Sequence, residues 1–204
     1  MKFEHKLLHT IKGVKVNGPI LLKPKIFRDE RGFFFESWNQ KDWEEILKRY
    51  NQSSQNFCQD NHSKSSKGVL RGLHFQKEPF PQAKLVRCIF GEIYDVAVDI
   101  RKNSSTFGEW VGVYLNSSDQ HQFWIPEGFA HGFLTLSEYA EVNYKTTNYW
   151  NKNHEESLLW NDNDISIKWP LKSLNNETLK ISDKDKVAKT FKSLKDTQFQ
   201  DEYN

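Results

Sequence analysis

The stretch VLRGLHFQ, residues 69–76, sets Arg71 and His74 into a run whose other members, Val69, Leu70, Leu73 and Phe75, suit a buried strand. A polar group on such a strand needs a partner or a purpose. An imidazole, with an ordinary pKa of about 6.5, takes or gives a proton near neutrality, which makes His74 a candidate general acid–base. His62, His121 and His131 also fall near strand-rich sequence, and a lone histidine on a strand is more often a hydrogen-bonded structural residue than a chemical one. Tyr144, in AEVNYKTT, shares a strand face with Val142. It would supply an acid on the far side of a substrate, or simply fill the core with a satisfied hydroxyl. Arg71, Lys84 and Arg87 lie on or beside neighbouring strands, and Arg31 follows an Asp–Glu pair in FRDERGFFFES. Such cations usually belong to solvated faces or salt bridges. Crowded around a histidine, they suit recognition of a phosphate or an enolate.

The elements that must position these residues read mostly as strands. In EIYDVAVDI, Tyr94, Val96, Val98 and Ile100 fall on one face, and Ile93, Asp95, Ala97 and Asp99 on the other. EWVGVYLN, HQFWIP, GFLTLS and AEVNYKTTNYW repeat the period of two, with Gly, Pro, Asn and Ser between them. Many short strands with regular turn signals predict an all-β antiparallel sandwich or barrel with a few short helices. NQKDWEEILKRY reads as a helix capped by Asn39, with Trp43, Ile46, Leu47 and Tyr50 on one side. SDKDKVAKTFKSL offers a second helix from about residue 182, capped by Ser182, with Val187, Phe191 and Leu194 on one stripe. By position alone, Asp185 is the third helical residue of a capping-box-like start. The last ten residues read as frayed. The whole, 1–204, is expected to be one domain.

Composition narrows the function classes. The chain has 204 residues, 29 basic against 27 acidic side chains, and a formal net charge of +2. Without a large positive field, nucleic acid is a poor partner. Two cysteines, Cys58 and Cys88, are too few for a disulfide framework and are expected as reduced thiols. Lys2, Glu4, His5 and Lys6 interrupt any apolar leader, and no apolar run reaches the roughly 18 residues of a membrane helix. A cytoplasmic protein without membrane contact is expected.

PEGFAH, residues 126–131, resembles the second signature of the cupin family of small β-barrels, P-x-G-x-x-H. In metal-binding cupins the first signature supplies H-x-H and a downstream Glu. The corresponding stretch here is His74-Phe75-Gln76, with one imidazole. Catalytic metal sites usually take three or four nitrogen and oxygen ligands. Two evident ones remain, so no metal and no cofactor is expected, and acid–base chemistry is favoured.

Longer blocks carry a more specific resemblance. FRDERGFFFESWN, FCQDNHSKSSKGVLRGLHFQ, KLVRCIFGEIYDVAVDIRKNSSTFGEWVG, QFWIPEGFAHGFLTLSEYAEVNYKTTNYW and LLWNDNDISIKWP closely resemble the dTDP-4-dehydrorhamnose 3,5-epimerase family, in order, from about residue 15 to residue 170. The likeness continues more weakly to the Ser-Asp-Lys-Asp stretch. It implies a cupin-type jelly roll, a homodimer without metal or organic cofactor, and a dTDP-linked 4-keto-6-deoxy sugar as substrate. It implies further that His74 is the base acting at C3 and C5, with Asp185 as its partner rather than a mere cap. Tyr144 matches the proton donor and Lys84 the cation near the C4 oxygen. Arg31, Glu36, Gln59, Asp60, Asn61, Arg71, His131, Glu155 and Lys184 match positions that bind the nucleotide sugar or shape its pocket. The loop QKEPFPQAK, with its two prolines, and the two chain ends depart from the pattern. Single-centre epimerases and 3,4-ketoisomerases on related nucleotide sugars are the competing readings.

Overall fold

Alternating apolar residues fold the middle of the chain into two facing sheets, in a computed structural model that describes residues 3–196. The chain opens with β1 (Phe3–His9), β2 (Lys15–Pro24) and a short hairpin of β3 (Phe27–Asp29) and β4 (Gly32–Phe34). Helix α1 (Gln40–Arg49) precedes β5 (Gln59–Ser66), β6 (Val69–Gln76), β7 (Lys84–Phe90) and β8 (Glu92–Asp99). β9 (Trp110–Asn116), β10 (Gln122–Ile125), β11 (Phe129–Thr135), β12 (Tyr139–Thr146) and β13 (Glu155–Ser157) follow. A 3₁₀ turn (Leu171–Leu174), β14 (Lys180–Ile181), α2 (Asp183–Lys186) and α3 (Phe191–Asp196) end the described chain. One sheet runs β1-β2-β10-β7-β12-β5 and the other β13-β6-β11-β8-β9, with β14 parallel to β6. This is the antiparallel sandwich expected from the pattern of strands and the jelly roll implied by the resemblance.

Three apolar layers hold it. Between the sheets, Val86, Cys88, Phe123, Ile125 and Val142 meet Ile93, Ala97, Val111, Phe129 and Phe133. On the outer face of the second sheet, Tyr94, Val96 and Val98 are covered by Leu158, Ile165, Trp169, Leu174, Phe191 and Leu194. β8 is therefore buried on both sides, and its inward face carries Asp95 and Asp99 beside Ile93 and Ala97. Helix α1 lays Trp43, Ile46 and Leu47 on Ile20, Leu22, Leu85 and Trp124 of the first sheet. Each such side chain, once buried, contributes about 1.5–3 kcal/mol. Asn39 caps α1 as its sequence indicates, its side chain accepting from the N–H groups of Lys41 and Asp42.

The C-terminal helix departs from the sequence reading. Instead of one helix with Val187, Phe191 and Leu194 on a stripe, α2 stops at Lys186 and Val187 is 82% exposed. The backbone of Lys189 is taken by the end of β13 and the segment after it, donating to Ser157 O at 3.1 Å and accepting from Leu159 N at 2.8 Å. Asp162 then accepts from Phe191 N at 2.9 Å and starts α3. Tertiary pairing outcompetes a helical propensity that is weak over so short a span. The expectation of fraying falls largely on residues 197–204, which lie outside the described residues.

The register of β6 against β11 matters most for the site. His131 pairs with His74 and Phe133 with Arg71, so three steps of β6 oppose two of β11. In a regular strand, residues three apart point to opposite faces. The irregularity turns Arg71 and His74 to the same face, the one facing the sandwich interior. Gly72 makes it possible: its φ is +116°, and an added Cβ would meet Gly132 Cα and His131 O at 2.6 Å. Among the described residues, no helix is long and apolar enough to cross a membrane, and Cys58 and Cys88 are both free thiols.

Candidate active site

His74 projects from β6 between two hollows of about 330 Å³ each. One, the cleft, is lined by Gln59, Asn61, Gln76, Lys84, Tyr144, Trp150 and Glu155. The other, a trough, is lined by Arg71, Lys180, Ser182, Lys184 and Asp185. His74 belongs to both.

Its ring is held from behind. His74 Nε2 lies 2.7 Å from Asp185 Oδ1, a contact that spans 111 residues of sequence. Asp185 Oδ2 accepts from Gly72 N at 3.4 Å, and Asp185 N donates to Ser182 Oγ at 3.2 Å. Burial pushes the Asp185 pKa up, but hydrogen bonds from His74, Gly72 and Ser182 and the charge interaction with His74 outweigh it, and the net shift is downward. The ionised carboxylate only accepts, so the imidazole donates from Nε2, which leaves Nδ1 as the nitrogen that can exchange a proton with a substrate. Asp185 both lies in a capped turn and orients the ring. The two readings of its sequence position are compatible.

The opposite sheet supplies the other groups. Lys84, at the start of β7, is buried, and its Nζ donates to His74 O at 3.2 Å. Burial pulls its pKa down to about 8, against the upward pull of Asp95 and Glu155. Tyr144 shares the inward face of β12 with Val142, and burial raises the pKa of its hydroxyl, so it stays protonated. Behind these stands a second pair, His131 Nε2 to Asp95 Oδ1 at 2.6 Å, with His131 held below its ordinary pKa by burial. Asp95 Oδ2 has no hydrogen-bond partner among the described residues. Nor is any group of three or more His, Cys, Asp or Glu side chains there placed to hold a metal ion. A proton acceptor, a buried cation and a phenol converge on one small volume, which suits enolisation of a carbonyl compound.

The family model described as dTDP-4-dehydrorhamnose 3,5-epimerase matches residues 13–193. The chain belongs to this family. The dTDP-4-dehydrorhamnose 3,5-epimerase of Salmonella typhimurium is 61% identical over 155 residues, covering 76% of the chain and 82% of that relative. Among solved structures, the dTDP-6-deoxy-D-glucose-3,5-epimerase of Legionella pneumophila, in complex with dTDP-4-keto-L-rhamnose, superposes with a TM-score of 0.81. It is 45% identical, and the match covers 92% of this chain and 93% of that one. A 3'-monoepimerase from Streptomyces bikiniensis, in complex with dTDP-quinovose, is 27% identical with a TM-score of 0.79, covering 92% and 89%.

Of the residues that likeness to the epimerases singles out, the fold gathers His74, Lys84, Tyr144 and Asp185 with Gln59, Asn61 and Glu155 on one side and Arg71 and Lys184 on the other. Lys184 Nζ is bonded to Glu155, which links α2 to the cleft wall. His131 stands beside His74 in the ladder but lines neither hollow. Asp60 points away from its neighbours Gln59 and Asn61 and pairs with Lys145 Nζ at 2.8 Å. Glu36 accepts from Asn39 Nδ2 at 3.1 Å. Arg31 is exposed on the β3–β4 hairpin, bonded to Asp29, in a separate hollow with Phe27, Phe33 and Phe34. Sequence reasoning missed Trp150, 53% exposed at the cleft rim, and also Gln76, whose spacing of two from His74 is the signal that places both on one strand face.

Proposed function

We propose that the chain inverts C3 and C5 of dTDP-4-dehydro-6-deoxy-D-glucose to give dTDP-4-dehydro-L-rhamnose. The observation that carries this reading is placement: His74 comes from one sheet, and Tyr144 and Lys84 come from the sheet opposite. His74 Nδ1 removes the proton next to the C4 ketone, and the C–H electron pair becomes the enolate, with its charge on O4. The Lys84 ammonium stabilises that charge, an effect worth roughly 3 kcal/mol for one well-aimed donor. Tyr144 delivers a proton to the other face as the new C–H bond forms. One proton leaves, one arrives, and exchange with water resets both groups. The reaction is redox-neutral and the steps as written call on no cofactor.

Arg71, Lys180 and Lys184 give the trough the charge to hold a diphosphate, and the sugar joined to it reaches past His74 into the cleft, where Trp150 offers an aromatic wall. The chain acts as a homodimer in the cytoplasm. Support for the dimer comes from the β3–β4 hairpin, which exposes Phe27, Phe33 and Phe34 and holds Arg31 outside its own cleft. A second copy covers that hairpin and receives Arg31 at its nucleotide site.

Incubation of the 4-keto sugar in deuterated water, with label and configuration scored by NMR at each carbon, tests the reaction. Inversion and labelling at both C3 and C5 are expected. Inversion at one carbon alone would make the chain a single-centre epimerase, and movement of the ketone to C3 a ketoisomerase.

A further inference from the structure

Asp95 is fully buried on the inward face of β8, between Ile93 and Ala97, in the layer that includes Val86 and Cys88 of β7. His131 Nε2 lies 2.6 Å from its Oδ1, and its Oδ2 has no hydrogen-bond partner among the described residues. Burial holds His131 below its ordinary pKa, so near neutrality the ring is uncharged and donates to the carboxylate without neutralising it. The pair therefore keeps a negative charge in the interior, where an isolated charge is very costly. A cation must answer it. Lys84, two residues before Val86 on the same strand face, is buried beside this layer. Among the described residues its Nζ makes one hydrogen bond, to His74 O, and no direct salt bridge.

We propose that Asp95 is a positioning residue whose charge, held in place by His131, is the fixed counter-ion of the Lys84 ammonium. This rests on the reaction proposed above, in which that ammonium stabilises the enolate. Of the charges that keep Lys84 protonated against its burial, Asp95 acts most strongly and Glu155 of β13 comes second. Glu155 is itself bonded to Lys184, which takes up part of its charge. The other titratable groups around Lys84 are His74 of β6, His131 of β11 and Tyr144 of β12, and none brings a negative charge near neutrality. An offset counter-ion suits the chemistry. A carboxylate bonded directly to Nζ would occupy its donors, whereas Asp95 sustains the charge and leaves N–H groups free for O4.

The test reads the charge of Lys84 directly. Its Cε resonance in carbon-13 NMR, assigned by its loss in Lys84→Arg, is followed against pH without substrate. In the wild-type chain it should titrate near pH 8. Asp95→Asn keeps an acceptor for His131 but removes the charge, so Lys84 should lose its proton about one unit lower. Turnover should follow: its fall on the alkaline side moves down by the same amount, and at pH 8 it drops roughly fivefold relative to wild type. Asp95→Glu, which keeps the charge, should return that fall to the wild-type pH. A merely structural Asp95 would lower the melting temperature, or the rate at every pH alike, and leave the resonance titrating where it does in the wild type. That result would overturn the proposal. If Asp95→Asn does not fold, Asp95→Ser is smaller and still accepts from His131. It should show the same shift of the resonance, and an unshifted one there also overturns the idea. The resonance requires no catalysis. A wild-type chain that inverts neither carbon would therefore count against the reaction alone, and the titration of Lys84 would still decide on Asp95.

Discussion

His74 and Tyr144 approach the sugar from different sheets, so their removal should fail differently. His74→Asn keeps shape but has no basic nitrogen, and both deuterium exchange and inversion should fall by about 10²–10⁴-fold while the melting temperature holds. A collapse of the fold instead would make the histidine a structural member of the β6–β11 ladder. Tyr144→Phe leaves the ring in place, so His74 should still exchange label into the substrate while inversion is lost at one carbon at least, C5 first. NMR of recovered sugar separates the two results, and full inversion at the wild-type rate would remove Tyr144 from the mechanism. Lys84 sets the pH dependence. Burial holds its pKa at about 8, so the ammonium is present below that pH and disappears above it. Since the cationic form stabilises the enolate, turnover should fall as pH rises through about 8. A profile flat to about pH 10, the ordinary lysine range, would show that the charge is not used.

At the scale of elements, the irregular pairing of β6 with β11 is what makes a site of the sequence LRGLH. Gly72→Ala places a methyl group 2.6 Å from Gly132 Cα at a φ of +116°. Strain and overpacking should together cost about 2–4 kcal/mol in chemical denaturation. If the strand relaxes to a regular ladder, Arg71 turns away from His74 and KM rises as well. Undiminished stability would mean that the two strands can move apart without loss. The short α2 matters for a similar reason: Ser182 caps it and β14 pairs it to β6, so Asp185 reaches His74 across the fold.

For the whole molecule, the exposed aromatic hairpin carries the expectation of a dimer. Phe34, 71% exposed, is the clearest probe. Phe34→Glu should yield a monomer by sedimentation with an intact melting transition, and should raise KM because Arg31 no longer reaches a neighbouring site. A dimer that survives the substitution with unchanged KM would place the interface elsewhere on the molecule.

The sequence by itself determined the strand-rich fold, because period-two alternation with frequent turn residues is a local signal that each segment carries alone. It also determined the family, because long blocks such as QFWIPEGFAHGFLTLSEYAEVNYKTTNYW are specific in order and content. The cap at Asn39 was legible for the same local reason. Tertiary structure alone decided what depends on distant partners. A regular period of two would turn Arg71 and His74 to opposite faces, and only the register against β11 brings them together. Asp185 read locally as part of a cap, and its bond to His74 bridges 111 residues that no local pattern spans. The stripe of Val187, Phe191 and Leu194 favoured one helix, until the pairing of Lys189 with Leu158 broke it. Trp150 had no motif at all, and Gln76 had only its spacing of two from His74. Their place follows from loops that fold over the cleft only once both sheets have closed, because hydrogen bonds between segments far apart in sequence leave no trace in either segment.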